Sequence, residues 1–221
     1  ILNGTTNYIL STMEDTEKNF SEVLEKAKKM GFAESNPVSD LNGSDAAAKI
    51  RILSSIAFNK TISRNKILTE GIQEINLEDI RYAKSLGYKI KLLSVSEIRN
   101  GKLMERVHPC LVQKSQLLAN VSGVMNAVLI HGDAVGATLH YGAGAGAQPT
   151  ASAVVADLVD VVRTLTADPD AIAPVILVTN LSGAAGFLAA LVHVRMRTGM
   201  LDLSMIDRDQ LIYGMLASLA A

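Results

Sequence analysis

The chain has 221 residues, enough to bury a sizeable core as one large domain or as one domain with an appendage. Its formal net charge of -1 gives no electrostatic footprint for nucleic acid or an anionic membrane surface, so the expected partner is a small molecule. A single cysteine, Cys110, excludes an internal disulfide framework and fits a reducing, cytoplasmic compartment; within a strand it reads as a small buried hydrophobe.

No basic segment precedes an apolar run at the start, so no signal peptide is expected, and Ile1 reads as the middle of something longer. Ile1 to Met13 is apolar around a polar knot, Asn3 to Asn7, which either presents donors to a carboxylate or caps a helix start through Thr5 or Thr6. From Asn19, with Glu22 three residues on, Val23, Leu24, Ala27 and Met30 form the apolar stripe of a helix that Gly31 stops. A loop follows, and Ser44 is the expected N-cap of a helix running through Lys49, Leu53 and Ala57 to Phe58. Lys60 to Glu70 is polar. Leu77 to Leu86 has helical spacing, and Gly87 ends it. Tyr88 to Ile98 and Leu103 to Val112 flank Asn100 and Gly101, a strong hairpin signal. Ser122 to Ile130 and Ala137 to Tyr141 read as further strands. Pro149 and Thr150 then open a helix through Val162. The expected class is α+β, with helices laid over a mainly antiparallel or mixed sheet. Pro174 to Val194 is uncharged for about the length of a membrane span, yet polar residues dilute it, and a buried strand and helix are favoured.

Two stretches invite chemistry. Glu34, Asp40 and Asp45 recur in a loop punctuated by Gly and Asn, and Lys49 follows Asp45 at the spacing that puts both on one helical face. The pair can be a surface ion pair worth roughly 0.2 to 0.5 kcal/mol, or a centre for acid–base work. The three carboxylates could also ligate a hard cation, though they lack the alternate-residue spacing of a calcium loop, and no metal site is assigned. The second stretch is Gly142, Gly144 and Gly146, ahead of a helix start that exposes backbone amides to an anion. Gly142, Gly144 and Ala147 fit a loose G-x-G-x-x-G/A pattern, but helices and a hairpin precede it and Asp160 falls inside the following helix. A self-contained dinucleotide fold is therefore rejected. His108 and His131 have no carboxylate or nucleophile at a telling spacing and read as structural.

Several separated motifs agree in order and spacing with one family. N-G-T-T-N-Y-I-L at 3–10, G-F-A-E at 31–34, N-P at 36–37, D-L-N-G-S-D at 40–45 and Lys49 resemble homoserine dehydrogenase. The resemblance continues through V-H-P at 107–109, L-A-N-V-S-G-V-M-N-A-V at 118–128, G-D-A-V-G at 132–136 and the glycine-rich run at 142–157. It covers residues 1 to about 165, which it marks as a substrate-binding and dimerisation domain; residues 166–221 depart from the family and carry no assignment.

Such enzymes interconvert L-homoserine and L-aspartate 4-semialdehyde with NAD or NADP, in threonine and methionine biosynthesis. The resemblance implies that Lys49 exchanges a proton with the substrate's carbonyl oxygen and that Asp45 contacts substrate and steadies Lys49. It places Glu34 on the α-ammonium, Asp40 near the reacting end and Thr5 by the α-carboxylate. Gly144 and Gly146 close over the nicotinamide. It further implies an N-terminal cofactor domain missing here, with a second substrate-facing lysine and the backbone oxygens of a monovalent-cation site, and a homodimer formed through the sheet. A fragment without that domain is expected to be inactive alone. The alternative is a non-catalytic dimerising scaffold. Asn36 departs from the family, where Asp is usual before the proline.

Overall fold

The computed structural model describes residues 1–59, 67–144 and 147–167. The first helix, α1 (Gly4–Thr16), starts where Asn3 caps it: Asn3 Oδ1 accepts the Thr6 backbone N–H at 2.8 Å. The cap is thus Asn3, and neither Thr5 nor Thr6 serves, because the Asn side chain already satisfies the orphan donor that a threonine would have met. Helix α2 (Phe20–Lys29) buries Val23 and Ala27, and Gly31 follows with φ +73°. A single turn, α3 (Val38–Leu41), leads into α4 (Ser44–Phe58). Here too the expected cap moves. The Gly43 carbonyl accepts the first helical bond, from Ala47 N at 2.9 Å, while the Ser44 hydroxyl points back to donate to the Ser39 carbonyl at 3.2 Å.

The two-residue strand β1 (Leu68–Thr69) carries no periodic signal and was not expected. Asn76 caps α5 (Leu77–Ser85) in a capping box with Asp79. At Asn100 and Gly101 φ is +53° and +72°, the left-handed pair that a two-residue hairpin turn requires. The strands it joins, β2 (Tyr88–Arg99) and β3 (Lys102–Gln113), pair antiparallel from Arg99↔Lys102 to Tyr88↔Gln113. β1 adds in parallel to the other edge of β3, giving the order β1-β3-β2. After a 3-10 turn at Leu117–Asn120, β4 (Met125–Gly132) and β5 (Gly136–Ala143) form a separate two-stranded sheet. The strand expected from Ser122 starts only at Met125, since Gly123 takes φ +63° in the preceding turn. Helix α6 (Ala147–Ala167) begins ahead of Pro149, which is tolerated in a first turn because its missing N–H would be unpaired there. The α+β class stands, and the described strands form two small sheets where the sequence implies one.

The chain divides into two compact units, Ile1–Arg51 with Ser63–Gly142, and Ile52–Ile62 with Ala143–Ala221. In the first, α1 packs on α2, α5, β2 and β4, and α5 also lies on β2. Ile9, Leu10, Met13, Val23, Ile72 and Val107 form the core, each almost fully buried, and Ile1, Val121 and Ala127 make a second apolar cluster with Leu93 and Leu139. In the second, α6 leaves Val155, Leu158 and Val162 exposed. Of the segment 166–221, to which the resemblance gives no assignment, the part beyond Ala167, with its uncharged stretch from Pro174, lies outside the described residues. Among the described residues no helix is long and apolar enough to cross a membrane.

Candidate active site

The loop between α2 and α4 is held from both sides. Within it, Asp40 N and Leu41 N donate to the Pro37 carbonyl at 3.1 and 3.0 Å, and Gly43 N donates to the Asp40 carbonyl at 3.1 Å. From outside, Ile72 N donates to the Leu41 carbonyl at 2.8 Å. Gly71 makes that approach possible, since a Cβ there would collide with Leu41 O and the Asn42 backbone. The carboxylate of Asp40 is thereby set on a fixed backbone.

Asp45 and Lys49, one turn apart on α4, form an ion pair of 2.7 Å between Nζ and Oδ2, with the Lys49 side chain 12% exposed and that of Asp45 26% exposed. The same Asp45 oxygen accepts a hydrogen bond from Asn3 Nδ2 at 2.9 Å, and Asp40 Oδ1 accepts another from that nitrogen at 2.7 Å. Two carboxylates and a lysine are therefore gathered at the N-terminus of α1, across 37 and 42 residues of sequence. Burial raises the pKa of Asp40 from its ordinary value; the Asn3 hydrogen bond opposes that rise, the Asp45 charge adds to it, and Lys49 and Thr5 oppose it. Glu34 sits exposed on the rim. Its pKa is raised as well, by desolvation first and then by the negative charges of Asp40 and Asp45.

Thr5 is close by, but its hydroxyl donates to the Phe32 carbonyl at 2.7 Å. Binding a carboxylate through that hydroxyl requires the bond to be given up. Gly144 is buried, and Gly146 lies outside the described residues. Cys110 is half-buried in β3, its Sγ 3.3 Å from His108 Nδ1, and burial pushes its thiol up, so it is not an activated nucleophile. Among the described residues no group of three or more His, Cys, Asp or Glu is arranged to hold a metal ion. The residue that spacing did not single out is Asn3. Its only signal was membership of the polar knot, and the carboxylates that it meets are the chain's own.

Residues 1–159 match the family model described as homoserine dehydrogenase. The chain is 52% identical over 170 residues to a homoserine dehydrogenase of Pseudomonas aeruginosa, covering 77% of this chain and 39% of that relative. A crystal structure of a homoserine dehydrogenase from Thiobacillus denitrificans matches with TM-score 0.75 and 53% identity, over 79% of this chain and 40% of that one. A hyperthermophilic archaeal homoserine dehydrogenase mutant in complex with NADPH matches with TM-score 0.59 and 27% identity, over 74% and 46%. These relatives and neighbours are dehydrogenases, a class of oxidoreductase. Within it, the chain belongs to the homoserine dehydrogenase family, and it spans about two fifths of the length of the first relatives it matches.

Proposed function

We propose that this chain supplies the substrate-binding part of an enzyme that interconverts L-homoserine and L-aspartate 4-semialdehyde, a step of threonine and methionine biosynthesis, in the cytoplasm. The observation that carries the reading is the Lys49–Asp45 contact of 2.7 Å set beside Asp40. In reduction, the Lys49 ammonium donates a proton to the carbonyl oxygen as negative charge develops there; in oxidation, the neutral amine takes the hydroxyl proton. Asp45 fixes the direction of Nζ through its Oδ2. Glu34, exposed at the rim, receives the substrate's α-ammonium, a charge-assisted bond that selects an amino acid over a plain aldehyde. Asp40 adds negative potential beside the reacting carbon chain. Thr5 takes the α-carboxylate by releasing Phe32 O.

A nicotinamide cofactor, when bound, supplies or accepts the hydride. The acid–lysine cluster suits its reacting end. The described residues do not suit its dinucleotide end: the parallel pairing of β1 with β3 spans two residues, and no strand–glycine loop–helix–parallel strand unit occurs among them. We place the main cofactor grip, and any monovalent-cation site, in the part of the family's length that this chain does not span, and we expect no turnover by the chain alone. A homodimer through the β2–β3 hairpin fits Ile98 and Leu111, which share one face of the hairpin and are exposed.

Titrating the chain with L-homoserine by calorimetry tests the reading. Replacing Glu34 by Ala is expected to weaken binding tenfold or more, on the order of 1.5 kcal/mol for a charge-assisted bond. Equal affinity in parent and variant removes Glu34 from the ammonium role, and absence of binding in both favours the scaffold alternative.

A further inference from the structure

Asn3 does two jobs with one carboxamide, and the first fixes the second. Its Oδ1 accepts from Thr6 N at 2.8 Å and from Thr6 Oγ1 at 3.0 Å, so the oxygen is committed to the first turn of α1. An amide has one oxygen and one nitrogen on opposite sides, so the Nδ2 end must face the other way, where an acceptor is required. It meets two: Asp40 Oδ1 at 2.7 Å and Asp45 Oδ2 at 2.9 Å. Both N–H bonds are used, one for each carboxylate, and Asn3 is itself buried, 5% exposed, so water does not substitute for them. The Asp45 oxygen that it grips is the one that Lys49 contacts.

We propose that Asn3 is a positioning residue of the reaction centre, bridging Asp40 and Asp45 so that Asp45 keeps Oδ2 turned to Lys49. This rests on the homoserine dehydrogenase reading of the Lys49 site. Side by side, the two carboxylates repel, and burial further disfavours the Asp40 charge. A neutral donor shared between them offsets that repulsion without bringing a second cation that would compete for Lys49's partner. The charged and polar groups around Asp40 are Asn3 and Thr5 from α1, Asp45 and Lys49 from α4, and Glu34 on the loop. Of the two α1 groups, Asn3 has the larger effect on Asp40.

The test separates capping from donation. Ser and Asp both cap a helix about as well as Asn, but Asn3→Asp donates to neither carboxylate and Asn3→Ser cannot reach both. The side-chain carboxyl ¹³C shifts of Asp40 and Asp45 are followed against pH by NMR in the whole chain. The Asp40 midpoint is expected to rise in Asn3→Ser and to rise further in Asn3→Asp, with backbone amide shifts unchanged beyond the first turns of α1 and α4. Joined to a homoserine dehydrogenase cofactor domain, both variants are expected to lose tenfold or more in kcat for homoserine oxidation, with a smaller change in KM. An unmoved Asp40 midpoint, or parental kcat in Asn3→Ser, overturns the proposal. The Lys49→Ala form of the same fusion is the control for the underlying reading: if it keeps full activity the reaction-centre assignment fails, whatever the Asn3 variants do to the carboxyl titrations.

Discussion

Two lysines meet the same helix under opposite conditions. At the N-terminus of α1, Lys49 has a carboxylate partner at 2.7 Å and remains partly accessible. Midway along α1, Lys91 of β2 is fully buried, and among the described residues its Nζ donates to neutral oxygens: Asn7 Oδ1 at 3.1 Å, Ser11 Oγ at 3.3 Å and the Val121 carbonyl at 2.6 Å. Burial, with the Lys89 charge adding to it, pushes Lys91 down to about 8, while Glu14 and Asp15 pull the other way. Asn7 extends the grip by donating to the Gly123 and Met125 carbonyls, both at 3.0 Å. An ammonium spent on dipoles inside the core fastens α1 to β2 and to the turn before β4. An ammonium paired with a carboxylate, with 12% of its side chain still accessible, is the kind that can hand over a proton. On the proposed reading the first kind of lysine serves position and the second chemistry, and the start of α1 connects them through Asn3 and Asn7, one turn apart.

The contrast is broken most forcefully at Lys91. Lys91→Ala leaves three buried acceptors without their donor and opens a cavity, a combination expected to destabilise the fold by about 3 kcal/mol or more, read from the urea midpoint. Its pH dependence sharpens the point. Between about 8 in the fold and the ordinary 10.5, the unfolded chain holds a proton that the folded one has released, so stability rises with pH across that window. Below it the desolvation penalty stands in full. Against Lys91→Met, which carries no charge, the parent should gain stability from pH 8 to 10.5, by at most about 3 kcal/mol. A flat difference would show that the site is better solvated than its burial implies.

Asp40 yields a smaller effect of opposite sign. Its pKa is raised in the fold, so between its ordinary value and the raised one the folded state keeps a proton that the unfolded state has lost, and stability falls as pH rises through that interval. Above the interval the charged form remains a burden. Asp40→Asn keeps an oxygen for Asn3 and removes the charge, so it should raise the urea midpoint at neutral pH, the pattern of a residue retained for activity at the expense of stability. A lowered midpoint would make Asp40 a structural residue.

How much of this was legible in the sequence follows from range. The hairpin was written in two adjacent residues, Asn100 and Gly101, and the Asp45–Lys49 pair in a spacing of four on one helix. The caps of α1 and α4 were misplaced by one to three residues because Ser44 and the threonines are good cappers by type, and tertiary partners decided otherwise: Phe32 O drew Thr5 and Ser39 O drew Ser44. Lys91 gives no sign of its burial. Between Ile90 and Leu92, strand alternation turns it outward to solvent, but α1 and the segment before β4 cover that face as well. Asn3 could not be assigned from local pattern, since its two acceptors lie 37 and 42 residues away. The family resemblance supplies roles for Glu34, Asp45 and Lys49, whereas the bonds through which Asn3 joins Asp40 to Asp45 have no local pattern in the sequence.

In the proposed reading Lys49, partly accessible beside Asp45, does the proton transfer. The direct measurement joins this chain to a homoserine dehydrogenase cofactor domain and compares homoserine-dependent NADP reduction by the parent fusion, Lys49→Ala and Lys91→Met, each checked for folding. Lys49→Ala is expected to lower kcat by roughly a hundredfold or more, the scale of general acid–base catalysis, with a near-parental urea midpoint, and Lys91→Met to shift stability far more than kcat. A folded Lys49→Ala fusion with parental kcat would contradict it.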